Sequence, residues 1–347
     1  LEFINNADQI SSNLNIGGDE SSSSEADAEE NTKEIKDVLF GLLGHILDLL
    51  PIQDFITSVL PLLSRSNDEA IRHHLTLVTA TKFELEPMES AQTADRVIDT
   101  LFENISGENE ASSIVQASLN TLSTLISKFG DKLDSSLLTQ SLKISTQSLL
   151  SERSEIIISS LNVLTNIVQT LGVKSIAFYP KIVPPTLKIF QKFQDSDDSL
   201  RQQLQLSVIL LFASMIKRLP SFLLSNLTDV FRVIFFADDV QDSIRLSVIS
   251  LIVEHIELKE VMKTLGKIWL SDISTTDNSV SVSLFLSTLE STAEAIDKKS
   301  ATSQSPVFFK LLLSLFEYRS ISSFDTNTIS RIEASVHQIA NAYVLKL

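Results

Sequence analysis

Side chains capable of chemistry are few in this sequence, and their spacing brings almost none of them together. The five histidines are His45, His73, His74, His255 and His337. His73 and His74 are neighbours that project about a hundred degrees apart on a helix, so they cannot close on one metal ion. The chain has no cysteine, which removes disulfides and thiolate metal sites and fits a reducing compartment. It holds no glycine-rich phosphate loop, no Gly-x-Ser-x-Gly, no His-Glu-x-x-His and no acidic cluster at metal-binding intervals. The expectation is a protein that is not an enzyme and uses no metal, cofactor or small-molecule substrate. One charged pattern does stand out. Residues 156 to 194 hold no acid, yet Lys174, Lys181, Lys188 and Lys192 fall there. Lys181, Lys188 and Lys192 are seven and four residues apart, which places them on one face of a continuous helix. Such a strip is a candidate surface for an RNA backbone or an acidic partner segment; the competing explanation is an ordinary solvated face. Phe190 and Phe193 beside it read as core.

The element that must carry this strip is the stretch from Glu152 to Gln194. Its first half sets Ile157, Leu161, Leu164, Val168 and Leu171 on one helical stripe, with Ile156, Val163 and Ile167 on a second beside it. A helix with two apolar faces needs a neighbour on each side. Gly172 ends it. The second half resumes with Ile176, Tyr179, Val183, Leu187 and Phe190, interrupted by Pro180, Pro184 and Pro185, which are expected to start or bend the second helix. The product is an antiparallel helix pair of roughly forty residues, the size of a HEAT repeat.

The same unit recurs along the chain. First helices are expected to start near Asp68, Glu110, Glu152, Asp198, Val240 and Asn278, at intervals of 42, 42, 46, 42 and 38 residues. Ser118-Leu119-Asn120-Thr121-Leu122 and Ser160-Leu161-Asn162-Val163-Leu164 are one phrase repeated 42 residues on. The fold class is therefore all-α, a HEAT-repeat α-solenoid, with about seven helix pairs plus a final helix over residues 33–347. A polar turn is placed at Lys298 to Ser305, between helices Asn278 to Asp297 and Pro306 to Tyr318. Asp68 with Arg72, Asp198 with Arg201 and Asp242 with Arg245 mark first-helix starts, and each Arg could bridge to the next repeat's Asp to make a ladder; the competing explanation is an ordinary exposed pair. The chain ends on Tyr343, Val344, Leu345 and Leu347, an open apolar end that suggests a fragment of a longer protein.

The net charge is −16. Residues 1–32 carry eight acids and no Lys or Arg, so half of that charge sits on a Ser-rich segment expected to be a disordered tail or linker. Its run Ser21-Ser22-Ser23-Ser24-Glu25-Ala26-Asp27 suits an acid-directed kinase as well as plain solvation. No apolar run is judged to approach the roughly eighteen residues of a membrane span, so no membrane partner is expected. Asn104-Ile-Ser106 and Asn226-Leu-Thr228 are read as chance sequons within helices.

Two segments carry a likeness to a known family. Leu171 through Phe190, with Pro180-Lys181-Ile182-Val183-Pro184-Pro185, and the closing Ile332 to Leu347, ending Ala340-Asn341-Ala342-Tyr343-Val344-Leu345-Lys346-Leu347, resemble the U3 small nucleolar RNA-associated protein 10 family, called HEAT repeat-containing protein 1 in animals. The resemblance implies a non-catalytic scaffold segment in the nucleus and nucleolus. The partners it implies are other protein subunits of the UTP-A (t-UTP) part of the small-subunit processome. It also implies association with the pre-rRNA 5′ external transcribed spacer and U3 snoRNP, indirect for this segment, with a role in pre-18S rRNA processing and a link to rRNA transcription. It carries over no catalytic residue. A karyopherin-like nuclear transport receptor, also an acidic HEAT solenoid, and a phosphatase-type HEAT scaffold remain as alternatives.

Overall fold

The computed structural model describes residues 25–66, 68–107, 110–194, 199–276, 278–320 and 324–347. The first 24 residues, with most of the acidic tail and its serine run, lie outside that set. The chain forms two compact units, residues 1–139 and 140–347.

In the first unit the helices are α1 (Glu25–Asp48), α2 (Ile52–Arg65), α3 (Glu69–Leu85), α4 (Ala91–Ser106), α5 (Ser112–Phe129) and the start of α6 (Ser135–Ser148). α1, α3 and α5 lie side by side in one layer, and α2 packs on α4 in the other. Sequence dictates this directly. α4 buries Val97, Ile98, Leu101 and Phe102 on one face, whereas α5 buries residues on two, from Ile114 to Phe129. Side-chain hydrogen bonds repeat the one-repeat spacing. Thr121 Oγ1 donates to the Thr76 carbonyl at 3.0 Å, joining α5 to α3, and Gln53 Nε2 donates to Thr93 Oγ1 at 2.9 Å, joining α2 to α4.

The second unit continues with α7 (Ser154–Leu171), α8 (Tyr179–Gln194), α9 (Arg201–Arg218), the short α10 (Pro220–Leu223), α11 (Leu227–Phe236), α12 (Asp242–His255), α13 (Leu258–Ser271), α14 (Ser279–Ala295), α15 (Lys298–Leu315) and α16 (Thr326–Val344). Successive packing of α7, α9, α12, α14 and α16 forms a first layer, and α8, α11, α13 and α15 form a second. This two-layered stacking of antiparallel pairs is the HEAT-type α-solenoid expected from the repeat interval, and the described residues contain no strand. The repeated phrase occupies equivalent places: Ser118, Leu119, Thr121 and Leu122 in α5 and Ser160, Leu161, Val163 and Leu164 in α7 are all fully buried. Trp269 of α13 is buried against Phe285 and Phe324, and its Nε1–H donates to the Ser314 carbonyl at 2.9 Å.

Several expectations need correction. Lys298 to Ser305 is not a turn. It forms the first half of α15, capped by Asp297, whose carboxylate accepts the Ser300 amide at 2.6 Å. Pro306 sits inside this helix, on an exposed side where the carbonyl it leaves without a donor can be hydrated. The apolar run is longer than judged: Ser154–Gln194 contains an 18-residue window of mean hydropathy 1.6, enough by composition alone for a span. Half of that window is buried in the protein, and the run is broken into α7 and α8 by a 3₁₀ segment, Gly172–Phe178. A first-layer helix sandwiched between two others must be apolar on both sides, which is what the hydropathy registers. α1 starts at Glu25, before the boundary at residue 32. Asn104 is 2 % exposed and accepts a hydrogen bond from Arg72, so that sequon is sterically closed. At the far end Tyr343 is buried, its hydroxyl donating to the Ala301 carbonyl at 2.7 Å, while Val344, Leu345 and Leu347 stay exposed.

The Arg ladder exists, with acids other than those expected. Arg72 donates twice to Glu110, from Nη1 at 2.9 Å and Nη2 at 3.0 Å, and Arg201 pairs with both carboxylate oxygens of Asp239. Both acids lie 38 residues on, just ahead of the next first-layer helix. Arg245 instead pairs with Asp242 on its own helix. All three guanidinium groups also donate to a carbonyl at the end of the preceding second-layer helix: Leu63, Gln194 and Phe235, at 3.0, 3.1 and 3.3 Å. Those carbonyls have no partner within their helix, and a cation there complements the helix dipole.

Candidate functional site

α8 is built to keep one face wet. Gly172 closes α7 with φ of +52°, its amide donating to the Val168 carbonyl. Only a residue without Cβ adopts that backbone cheaply. The 3₁₀ segment that follows is held by Ser175, whose buried hydroxyl donates to the Gly172 carbonyl at 2.7 Å. Tyr179 then opens α8, and its hydroxyl donates to Asn226 Oδ1 at 2.9 Å, tying the helix start to the next repeat. Burial pushes the Tyr179 phenol above its usual pKa. α8 runs through Pro184 and Pro185 without being interrupted. Pro180 is its second residue, where no intrahelical donor is lost.

Ile182, Val183, Thr186, Ile189, Phe190 and Phe193 form the buried face. Phe190 and Phe193 are thus core, as their spacing implies. Lys181, Pro184, Lys188, Gln191 and Lys192 form the exposed one. Lys181, Lys188 and Lys192 therefore share a solvent-facing strip, while Lys174, also exposed, sits apart on the 3₁₀ connector. Lys181 Nζ lies 5.8 Å from the Phe178 ring centre and Lys192 Nζ 5.2 Å from that of Phe193.

The strip belongs to something larger that windowed reading of the sequence missed. In α8, α11, α13 and α15 there are ten Lys and Arg residues against two acids, Asp229 and Glu260. Lys259, Lys263 and Lys267 on α13 and Lys298, Lys299 and Lys310 on α15 are all exposed. A protein of net charge −16 thus presents a basic second layer over residues 179–315. Counting charge by layer would have found it. The histidines do not gather: among the described residues no three His, Asp or Glu side chains are placed to hold a metal.

The BP28CT (NUC211) domain model matches residues 300–347. Over 350 residues, covering all of this chain, it is 59 % identical to the U3 small nucleolar RNA-associated protein 10 of Kluyveromyces lactis. The chain thus resembles, from end to end, one stretch of that family's members. Other members are similarly near, at 60 % identity for Eremothecium gossypii and 56 % for Saccharomyces cerevisiae, again over the whole chain. The chain spans about a fifth of the length of these family members, 20 % in each case. Among solved structures, importin beta aligns over 99 % of this chain and 44 % of its own, with a TM-score of 0.48 at 12 % identity. An engineered protein aligns over 83 % with a TM-score of 0.34. Both likenesses are too slight to argue from.

Proposed function

We propose that this chain is a non-catalytic scaffold segment of a nucleolar small-subunit processome component, acting in pre-18S rRNA processing and ribosome biogenesis with a link to rRNA transcription. The observation that carries the proposal is the 59 % identity, over the whole chain, to a protein named for its association with U3 small nucleolar RNA. The geometry supports a scaffold, since stacked helix pairs offer extended surface and the charged groups are spread along it. Its partners are other processome subunits, with the 5′ external transcribed spacer and U3 snoRNP reached through them. The exposed strip of Lys181, Lys188 and Lys192, with Lys174 nearby, is where a phosphate backbone or acidic segment would be held.

The test is to tag the full-length protein in cells and quantify U3 RNA and processome proteins recovered with it. Wild type is expected to recover both, and K181E/K188E/K192E to recover several-fold less of one of them. Unchanged recovery at low salt removes the lysine strip from the proposal. Failure to recover processome proteins at all, with capture of Ran-GTP in their place, would overturn it in favour of a transport receptor.

A further inference from the structure

Between α13 and α15 the second layer opens into a groove of about 460 Å³. Met262, Gly266, Val307 and Leu311 form its floor, and Lys263, Lys267 and Lys310 stand on its two rims. Leu270, 62 % exposed, extends the apolar surface along α13. We infer that this groove docks an acidic amphipathic helix of a partner protein. The scaffold reading is deepened by this, since it names the chemistry of one partner.

Two observations select that occupant. The first is charge. Lys267 and Lys310 make no ion pair or hydrogen bond among the described residues, and Lys263 holds only the exposed Glu260 one turn away. Cations on both sides of an apolar trough match a helix with aliphatic residues at i, i+3 and i+4 and acids on either flank. A nucleic-acid backbone would meet the lysines but strand its phosphates and sugars over an apolar floor. The second is Gly266. It lies in the interior of α13, where glycine disfavours the helix. Packing does not demand it, because a Cβ there would sit 3.8 Å from Leu311 Cδ1, an ordinary contact. What the missing side chain does provide is depth between Lys263 and Lys267.

The experiment is fluorescence anisotropy with the full chain and three probes at physiological salt. These are a labelled, stapled helical peptide with Leu at i, i+4 and i+7 and Glu on both flanks, its Leu→Ser counterpart of equal charge, and poly-uridylate. The Leu peptide is expected to bind about tenfold or more tighter than the Ser peptide. K267E/K310E and, separately, Gly266→Leu should each weaken it by about tenfold, whereas K181E/K188E/K192E should not. K267E/K310E changes only exposed side chains, so the test survives if Gly266→Leu misfolds; far-UV circular dichroism checks both. Equal binding of the Leu and Ser peptides, displacement by poly-uridylate with the same sensitivity to these variants, or no binding of the Leu peptide would overturn the inference. None of these outcomes depends on U3 RNA recovery, so the groove and the processome assignment can fail separately.

Discussion

Arg72 and Arg201 make the same connections in two repeats that are not neighbours, yet burial should separate their energetic weight. The Arg72–Glu110 pair is 13 % and 23 % exposed, and Arg72 also donates to Oδ1 of the buried Asn104 and to a carbonyl at the end of α2. The Arg201–Asp239 pair is 32 % and 30 % exposed. Arg72→Ala is therefore expected to destabilise its unit by about 2 kcal/mol, since it strands a buried amide and carbonyl. Arg201→Ala should cost under about 1 kcal/mol, because solvent screens the pair. Urea denaturation of both variants checks the order. His74 gives a pH dependence. Burial, the larger effect, holds its pKa below the ordinary 6.5, opposed by a hydrogen bond to the Phe40 backbone, and its Nε2 has no partner. The unfolded chain then takes up the proton first. Stability from the neutral ring is complete above 6.5 and lost as pH falls from there toward the folded value. The melting temperature should drop as the pH falls through 6.5, and His74→Phe should flatten that drop.

At the scale of elements, the first-layer helices were legible because burial on two faces writes two apolar stripes into the sequence. α3, α5, α7, α9, α12 and α14 start at Glu69, Ser112, Ser154, Arg201, Asp242 and Ser279, each close to its expected place. The start of α15 was not legible. Its segment Lys298 to Ser305 buries only Ala301, so no apolar period shows, and the order comes from the Asp297 cap and from Tyr343 on α16 reaching the Ala301 carbonyl. The turn between α7 and α8 was legible, because it rests on one glycine. Gly172→Ala is expected to cost about 1–2 kcal/mol from backbone strain alone, since nothing lies within 4 Å of the added methyl. A fall in the denaturation midpoint with unchanged helical content at zero denaturant would match this.

Across the whole chain, net charge gave the wrong impression of the surface. The value of −16 sums an acid-rich beginning with a basic second layer, and only the assignment of each helix to its layer separates them. The lysine strip on α8 could be seen beforehand because its lysines fall at helical spacing in a stretch without acids. Those on α13 and α15 could not, since Glu260 interrupts one set and an apparent turn hid the other. Stability in stacked repeats is close to a sum of local and nearest-neighbour contributions, so distant repeats can yield separately. The chain's single tryptophan makes this observable. Trp269 is buried in residues 140–347, so indole emission shifts to the red only when that unit opens, whereas ellipticity at 222 nm, the wavelength of the helical band, records every helix. In Arg72→Ala the ellipticity curve should move to lower urea while the emission curve stays in place, turning one built-in fluorophore into a reporter of which half has melted.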